Sequence, residues 1–186
     1  GDCGSGVYSL QGATVCTACP AGTAHALTLR TSASACAECV AGKYAGSSNS
    51  SDCDECESGK FAMTGSSTCI DCQAGLTPTS SKGDCKQCGA GQYSPAAGTQ
   101  DCVECGPGHY SLSGATACVA CQAGSANAVA SQVNVSACMP CSAGQYSSSS
   151  RLAACTACAP GQFAAAGSSS CIDCQAGLNA WSSGQA

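Results

Sequence analysis

The side chains with chemistry to offer are the cysteines. There are 21 in 186 residues, and all but Cys3 fall in ten C-x-x-C pairs, beginning at Cys16, Cys36, Cys53, Cys69, Cys85, Cys102, Cys118, Cys138, Cys155 and Cys171. A C-x-x-C is half of a zinc site, a dithiol redox centre or two links of a disulfide framework. Zinc ribbons gather two such pairs around one ion, usually in Lys-rich cytosolic domains. Here the pairs run on without grouping in twos. Thioredoxin-type activity asks for a βαβ setting and a helix N-terminus that lowers the thiol pKa, and nothing in the chain suggests either. A disulfide framework remains, and with it an oxidising, extracellular compartment.

The other residues with catalytic potential are scattered. His25 and His109 are isolated, occupy non-equivalent positions and read as exposed loop residues. Asp54, Glu55, Asp71, Asp101, Glu104 and Asp173 lie in or beside the C-x-x-C spacers, and no loop collects the several carboxylates that calcium requires. No nucleophile, acid/base pair or phosphate loop stands out. We therefore expect no enzyme, no cofactor and no metal.

The elements that hold the cysteines repeat. The pairs start at intervals of 20, 17, 16, 16, 17, 16, 20, 17 and 16 residues, so a longer period of 102 residues maps Cys3 on Cys105, and C-I-D-C-Q-A-G-L at Cys69 returns at Cys171. Short modules stacked in line are the architecture to expect. We divide the chain into a first super-repeat segment (1–84), a linking unit (85–102) and a second super-repeat segment (103–186). Each module runs from the second cysteine of a pair, its leading cysteine, to the first of the next pair, its closing cysteine. Both ends of the chain fall at a cysteine boundary, and from the odd cysteine count we expect the natural polypeptide to continue both ways.

A glycine stands three residues after every leading cysteine, at Gly6, Gly22, Gly42, Gly59, Gly75, Gly91, Gly108, Gly124, Gly144, Gly161 and Gly177. That argues for a tight turn with positive φ, or for a place with no room for Cβ. Gly12, Gly65, Gly98, Gly114 and Gly167 suit the return turn of a small hairpin. Tyr8, Tyr44, Phe61, Tyr93, Tyr110, Tyr146 and Phe163 all stand two residues beyond the first glycine. They are expected to pack on a disulfide or on the next module, the alternative being a ligand-binding ladder. Every third module lacks the aromatic, with Ala24, Thr77, Ala126 and Asn179 in its place, and this set includes the two longest loops and the only tryptophan, Trp181. If modules rotate by about a third of a turn, the variants share a side that meets a neighbouring chain or carries glycan.

Composition makes the cysteines structural. The apolar fraction of 44% is mostly cysteine and alanine, and alanine methyls, at ~25 cal/mol per Å² of buried surface, cannot offset an ordering cost of ~1–2 kcal/mol per residue. Spacing alone does not fix the pairing. The simplest scheme closes each module on itself: Cys3 to Cys16, Cys19 to Cys36, Cys39 to Cys53, Cys56 to Cys69, Cys72 to Cys85, Cys88 to Cys102, Cys105 to Cys118, Cys121 to Cys138, Cys141 to Cys155 and Cys158 to Cys171, leaving Cys174 over. The other scheme joins the two cysteines within each C-x-x-C, a ring typical of reducible motifs that leaves the loops open.

A net charge of −5 with no basic patch excludes nucleic acid as a natural partner, and no apolar run nears the ~20 residues of a membrane helix. Asn49-Ser50-Ser51 and Asn134-Val135-Ser136 are N-glycosylation sequons, and serine runs such as Ser147 to Ser150 are candidates for O-linked sugar.

The stretch Cys102-Val-Glu-Cys-Gly-Pro-Gly-His-Tyr-Ser-Leu-Ser-Gly-Ala-Thr-Ala-Cys118, with its C-x-x-C and C-x-x-G-x-[YF] elements, resembles the ephrin-receptor-like cysteine-rich repeat. That repeat is related in style to tumour necrosis factor receptor modules and EGF-like domains. The likeness covers essentially the whole chain. It implies short β-hairpins laddered by disulfides into a rod, as in large surface proteins of algae and other protists, including those of the flagellar hairs called mastigonemes. The fold class expected is therefore small disulfide-rich β repeats with little helix, forming an elongated, solenoid-like ladder. At ~3.3 Å per residue, a four-residue riser advances each module about 13 Å, and each module is expected to touch only its neighbours. The expected function is structural, a filament subunit of a cell-surface appendage or coat whose partners are copies of itself or other subunits. The competing class is an adhesive or receptor ectodomain, which would break the periodicity at one divergent loop rich in aromatic or charged residues.

Overall fold

Each module begins with a tight turn. In a computed structural model of the chain, which describes residues 3–26 and 31–175, the fourth residue after the leading cysteine donates its amide to the carbonyl of the first in the modules from Cys19 to Cys88 and from Cys121 to Cys158, as in Lys43 to Val40 (3.0 Å) and Gln92 to Gly89 (3.1 Å). The recurrent glycine is the third residue of that turn. Its φ lies between 75° at Gly108 and 88° at Gly124 in the ten described modules, the left-handed conformation that a type II turn requires there. Pro107 and Pro160 occupy the second position, where a preset φ suits. Gly177, Asn179 and Trp181 lie outside the described residues.

The turn sends the next two residues back as a strand against the C-x-x-C spacer. Val7–Tyr8 pairs with Thr17–Ala18, Lys43–Tyr44 with Asp54–Glu55, and Gln145–Tyr146 with Thr156–Ala157, all antiparallel. The Cys72 module has three-residue strands, Leu76–Pro78 and Cys85–Gln87. Ten such pairs among the described residues make a series of small disulfide-rich β repeats. In the two longest loops, 3-10 turns at Ala33–Ala35 and Val135–Ala137 take up extra residues, and no α-helix occurs among the described residues.

An isolated two-stranded ribbon is at best marginal in water, so the modules must support one another. The chain forms two compact units, one of Gly1–Gln87 with Pro95–Asp101, the other of Cys88–Ser94 with Cys102–Ala186. The stretch 85–102 is thereby divided between them. In the first unit, the step from the Cys19 to the Cys39 module carries three backbone hydrogen bonds: Gly22 N–H to Ala45 O (2.9 Å), His25 N–H to Ser50 O (3.1 Å) and Asn49 N–H back to Cys19 O (2.9 Å). In the second, the step from Cys121 to Cys141 repeats them as Gly124 to Ser147 (2.9 Å), Asn127 to Leu152 (3.2 Å) and Arg151 to Cys121 (3.0 Å). The set recurs from Cys39 to Cys56 and at every step from Cys88 to Cys158. One rung is changed. At the Cys72 module the carbonyl of Cys56 accepts instead from the Lys82 ammonium, at 2.6 Å.

Modules also reach past their neighbours, contrary to the expectation from sequence. A Cβ on Gly22 would lie well inside 3.0 Å of the Gly65 carbonyl, two modules along, and the same holds for Gly59 against Gly98, Gly108 against Arg151 and Gly124 against Gly167. The residue under each glycine is the left-handed residue of a loop tip, with φ of 75° at Gly65 and 74° at Arg151. Bare Cα and bent tip therefore meet backbone to backbone.

The core is narrow. Leading cysteines from Cys3 to Cys141 are at most 3% exposed, and beside them lie Ala45, Ala62, Ser94, Ser111, Ser147 and Ala164, each one residue beyond the aromatic. The rings themselves are only half-buried, because it is the following small residue that fits between modules. Phe163 is 38% exposed.

Gly108→Ala should therefore lower stability by more than Gly12→Ala. Both have left-handed φ, for which alanine costs roughly 1–2 kcal/mol, but Gly12 faces open space and Gly108 faces backbone. Calorimetry of the oxidised proteins decides it, and equal shifts in Tm would dismiss the close approach as the cause.

Candidate functional site

Ten disulfides close the loops: Cys3–Cys16, Cys19–Cys36, Cys39–Cys53, Cys56–Cys69, Cys72–Cys85, Cys88–Cys102, Cys105–Cys118, Cys121–Cys138, Cys141–Cys155 and Cys158–Cys171. Their Cα atoms lie 5.4 to 5.8 Å apart, the ordinary span of a cystine. Cys174 has no disulfide partner among the described residues. The two cysteines of most pairs differ in a way that spacing does not reveal. From Cys19 to Cys141 the leading one is buried, whereas its closing counterpart is half-buried or exposed; Cys158 and Cys174 are themselves half-buried.

Cys19, Cys39, Cys56, Cys72, Cys105, Cys121 and Cys141 are three-way nodes. Cys121 donates its amide to Gly108 O of the module before (2.8 Å), accepts from Arg151 N–H of the module after (3.0 Å) and bonds its sulfur to Cys138. Cys39 does the same with Gly22, Gly65 and Cys53. A buried backbone group left without a partner costs about 1–3 kcal/mol, so a node that satisfies both of its own groups holds three modules in register.

The aromatics face the spacers across the strand pairs, Tyr44 opposite Asp54, Phe61 opposite Ile70, Tyr93 opposite Val103 and Tyr110 opposite Val119. Neighbouring cross-strand positions carry the ion pairs Lys43–Glu55 (3.7 Å) and Lys60–Asp71 (2.8 Å). The Asp71 hydrogen bond and charge raise the Lys60 pKa, but such exposed pairs add little to stability.

The sequons sit in different settings. Asn134 caps the 3-10 turn Val135–Ala137, its Oδ1 accepting from the Ser136 amide (3.0 Å) and hydroxyl. Ser32 caps the equivalent turn 102 residues earlier, accepting from the Ser34 amide. The asparagine therefore has a folding role that serine also fills. Asn49 occupies a left-handed tip, φ 70°, with its carbonyl beneath Gly6. Asparagine tolerates that conformation best after glycine. Of the serine run, Ser147 is buried, its hydroxyl donating to Ser149 O (3.1 Å), so it is not a place for O-linked sugar. Ser148, Ser149 and Ser150 are exposed.

His25 corrects the sequence reading. It is 7% exposed, because it holds the buried position after the missing aromatic, and its Nε2 has no hydrogen-bond partner. It lines a cavity of about 570 Å³ together with Ser34, Glu38, Lys43, Ser51 and Asp52. Among the described residues no group of three His, Cys, Asp or Glu is placed to hold a metal ion, and no helix is long and apolar enough to cross a membrane. The density of disulfides fits an extracellular or secreted protein. Comparison with protein-family models and with curated proteins finds no match for the chain.

Replacing both Cys105 and Cys118 by Ser should cost about 3 kcal/mol, the loop-closure entropy of a 13-residue loop. Hydrogen exchange should then speed up at the Cys121 and Ser131 amides, which the node and its neighbour hold. Exchange confined to the opened loop would show that the modules are independent.

Proposed function

We propose that the chain is a load-bearing segment of an extracellular structural fibre, built from the ephrin-receptor-like repeats its motif resembles and serving in a cell-surface appendage or coat such as a mastigoneme-like fibril. The observation that carries this reading is the recurrence of the same three backbone hydrogen bonds at successive steps within each unit, every step closed by its own disulfide. Such a ladder transmits tension through backbone and sulfur and needs no large side chains. Stretching a closed module beyond its hairpin requires breaking a covalent bond.

On this reading the protein is not an enzyme, works outside the cell and associates with copies of itself or with other fibre subunits. Its charge-poor Ser-, Ala- and Gly-rich surface is made soluble in part by glycans, at Asn134 and Asn49. Negative-stain electron microscopy of the purified protein should show thin rods or fibres, and compact globules would reject the reading.

Pulled in a single-molecule experiment, the oxidised chain should reach a short contour length that reductant extends. Each 13-residue loop released, such as Cys56–Cys69, adds about 40 Å at ~3.3–3.6 Å per residue. A contour length indifferent to reductant would refute a sulfur-limited fibre. Secreted from a glycosylating host, the protein should also lose one endoglycosidase-sensitive mobility step on Ser136→Ala, a change that keeps the Asn134 cap to the amide; unchanged mobility would remove Asn134 from the glycan sites.

A further inference from the structure

The cavity beside His25 belongs to the first super-repeat, and the 102-residue period provides its internal control. His25, Glu38, Lys43 and Asp52 line it; at the same places in the second copy stand Asn127, Pro140, Gln145 and Ala154. Every ionisable residue of the wall is lost together, while Ala24, Ser34, Ala35 and Cys53 keep their identities as Ala126, Ser136, Ala137 and Cys155. A shared scaffold thus carries a charged lining in one copy only.

The position of His25 differs in chemistry as well. Asn127 satisfies its own side chain within the protein: Nδ2 donates to Val129 O (2.9 Å) and His109 O (3.3 Å), and Oδ1 accepts from Val129 N–H (3.0 Å). The His25 backbone is equally fixed, accepting from Gly6 and donating to Ser50, yet its buried Nε2 is unpartnered. A buried polar atom without a partner costs free energy that a ligand can return. Ala24, which stands where most modules carry a ring, is part of the cavity wall.

The lining is rich in acceptors. Glu38 and Asp52 are carboxylates, Ser34 and Ser51 offer hydroxyls, and the one ammonium, Lys43, is shared with Glu55 outside the wall at 3.7 Å. We propose that this cavity binds an organic cation, a primary ammonium or guanidinium group, which is held by the carboxylates of Glu38 and Asp52 and to which a turn of the His25 ring brings the buried Nε2 as a further acceptor. The group arrives on a free polyamine-like molecule or on a Lys or Arg side chain of a partner protein.

The test is a titration of the full oxidised chain with putrescine, n-butylguanidinium and a short Arg-containing peptide, read by the imidazole resonances in NMR. The His25 ring signals should shift saturably while those of His109 stay still. His25→Asn and Asp52→Ala, which install the residues of the second copy or its equivalent small side chain and so suit the fold, should each weaken binding at least tenfold with backbone amide protection unchanged. Response to the small cations identifies a free ligand, and response to the peptide alone identifies a protein side chain. A His25 signal that no probe moves, or His25→Asn binding as tightly as the parent, overturns the proposal. So does saturation by a neutral methyl glycoside in place of the cations.

Discussion

The buried leading cysteine is the point on which everything else hangs. Its sulfur closes its own loop, its amide is spent on the glycine carbonyl of the module before, and its carbonyl is spent on the loop tip of the module after, as Cys19, Cys39, Cys105, Cys121 and Cys141 all show. In an ordinary domain the apolar side chain fixes position and the backbone follows. Here the order is reversed, since the largest fully buried side chains are cysteines and serines. Satisfying backbone groups at close range, with a covalent tie at each node, replaces the area-driven core that this composition cannot build.

Close range explains the glycines. A left-handed turn alone would tolerate asparagine, as the loop tips do with Asn49, and even lysine, serine and arginine, as at Lys82, Ser131 and Arg151. The glycine after the leading cysteine admits no such variety from Gly6 to Gly59 and at Gly91, Gly108 and Gly124, because its missing Cβ is where a backbone carbonyl two modules along is seated. Two positions with the same φ thus face different rules. Lys82 shows the slack that remains: its ammonium replaces a tip amide at the Cys56 carbonyl, so the rung survives when the backbone cannot supply the donor.

Much of this was legible in the sequence, for definite reasons. The glycine spacing announced positive φ, and the regular C-x-x-C intervals announced hairpin repeats. What stayed hidden needed three dimensions. The seven aromatics look like the core because they are large, but the pleat points them outward against spacer residues such as Ile70 and Val103, and burial falls one residue later, on Ser94, Ser111 or Ala62. The contact between alternate modules leaves no trace in spacing. His25 was misread for the same reason: a lone histidine in a loop looks exposed until its place in the buried column is known.

The duplication also separates what the ladder requires from what it permits. Cysteines, turn glycines and the small buried residues return after 102 residues, since each takes part in a node or a close approach. The Ser32 and Asn134 caps exchange freely because one acceptor oxygen serves either turn. Charges at Glu38, Lys43 and Asp52 do not return, and no rung depends on them; Lys43 enters the ladder through its amide, not its ammonium. A lattice held by backbone and sulfur leaves its side chains unconstrained, so a wall of ionisable groups can be added to one module without disturbing the register of the rest. The architecture that makes most of the surface monotonous is therefore the one that lets a single departure from monotony carry a separate purpose.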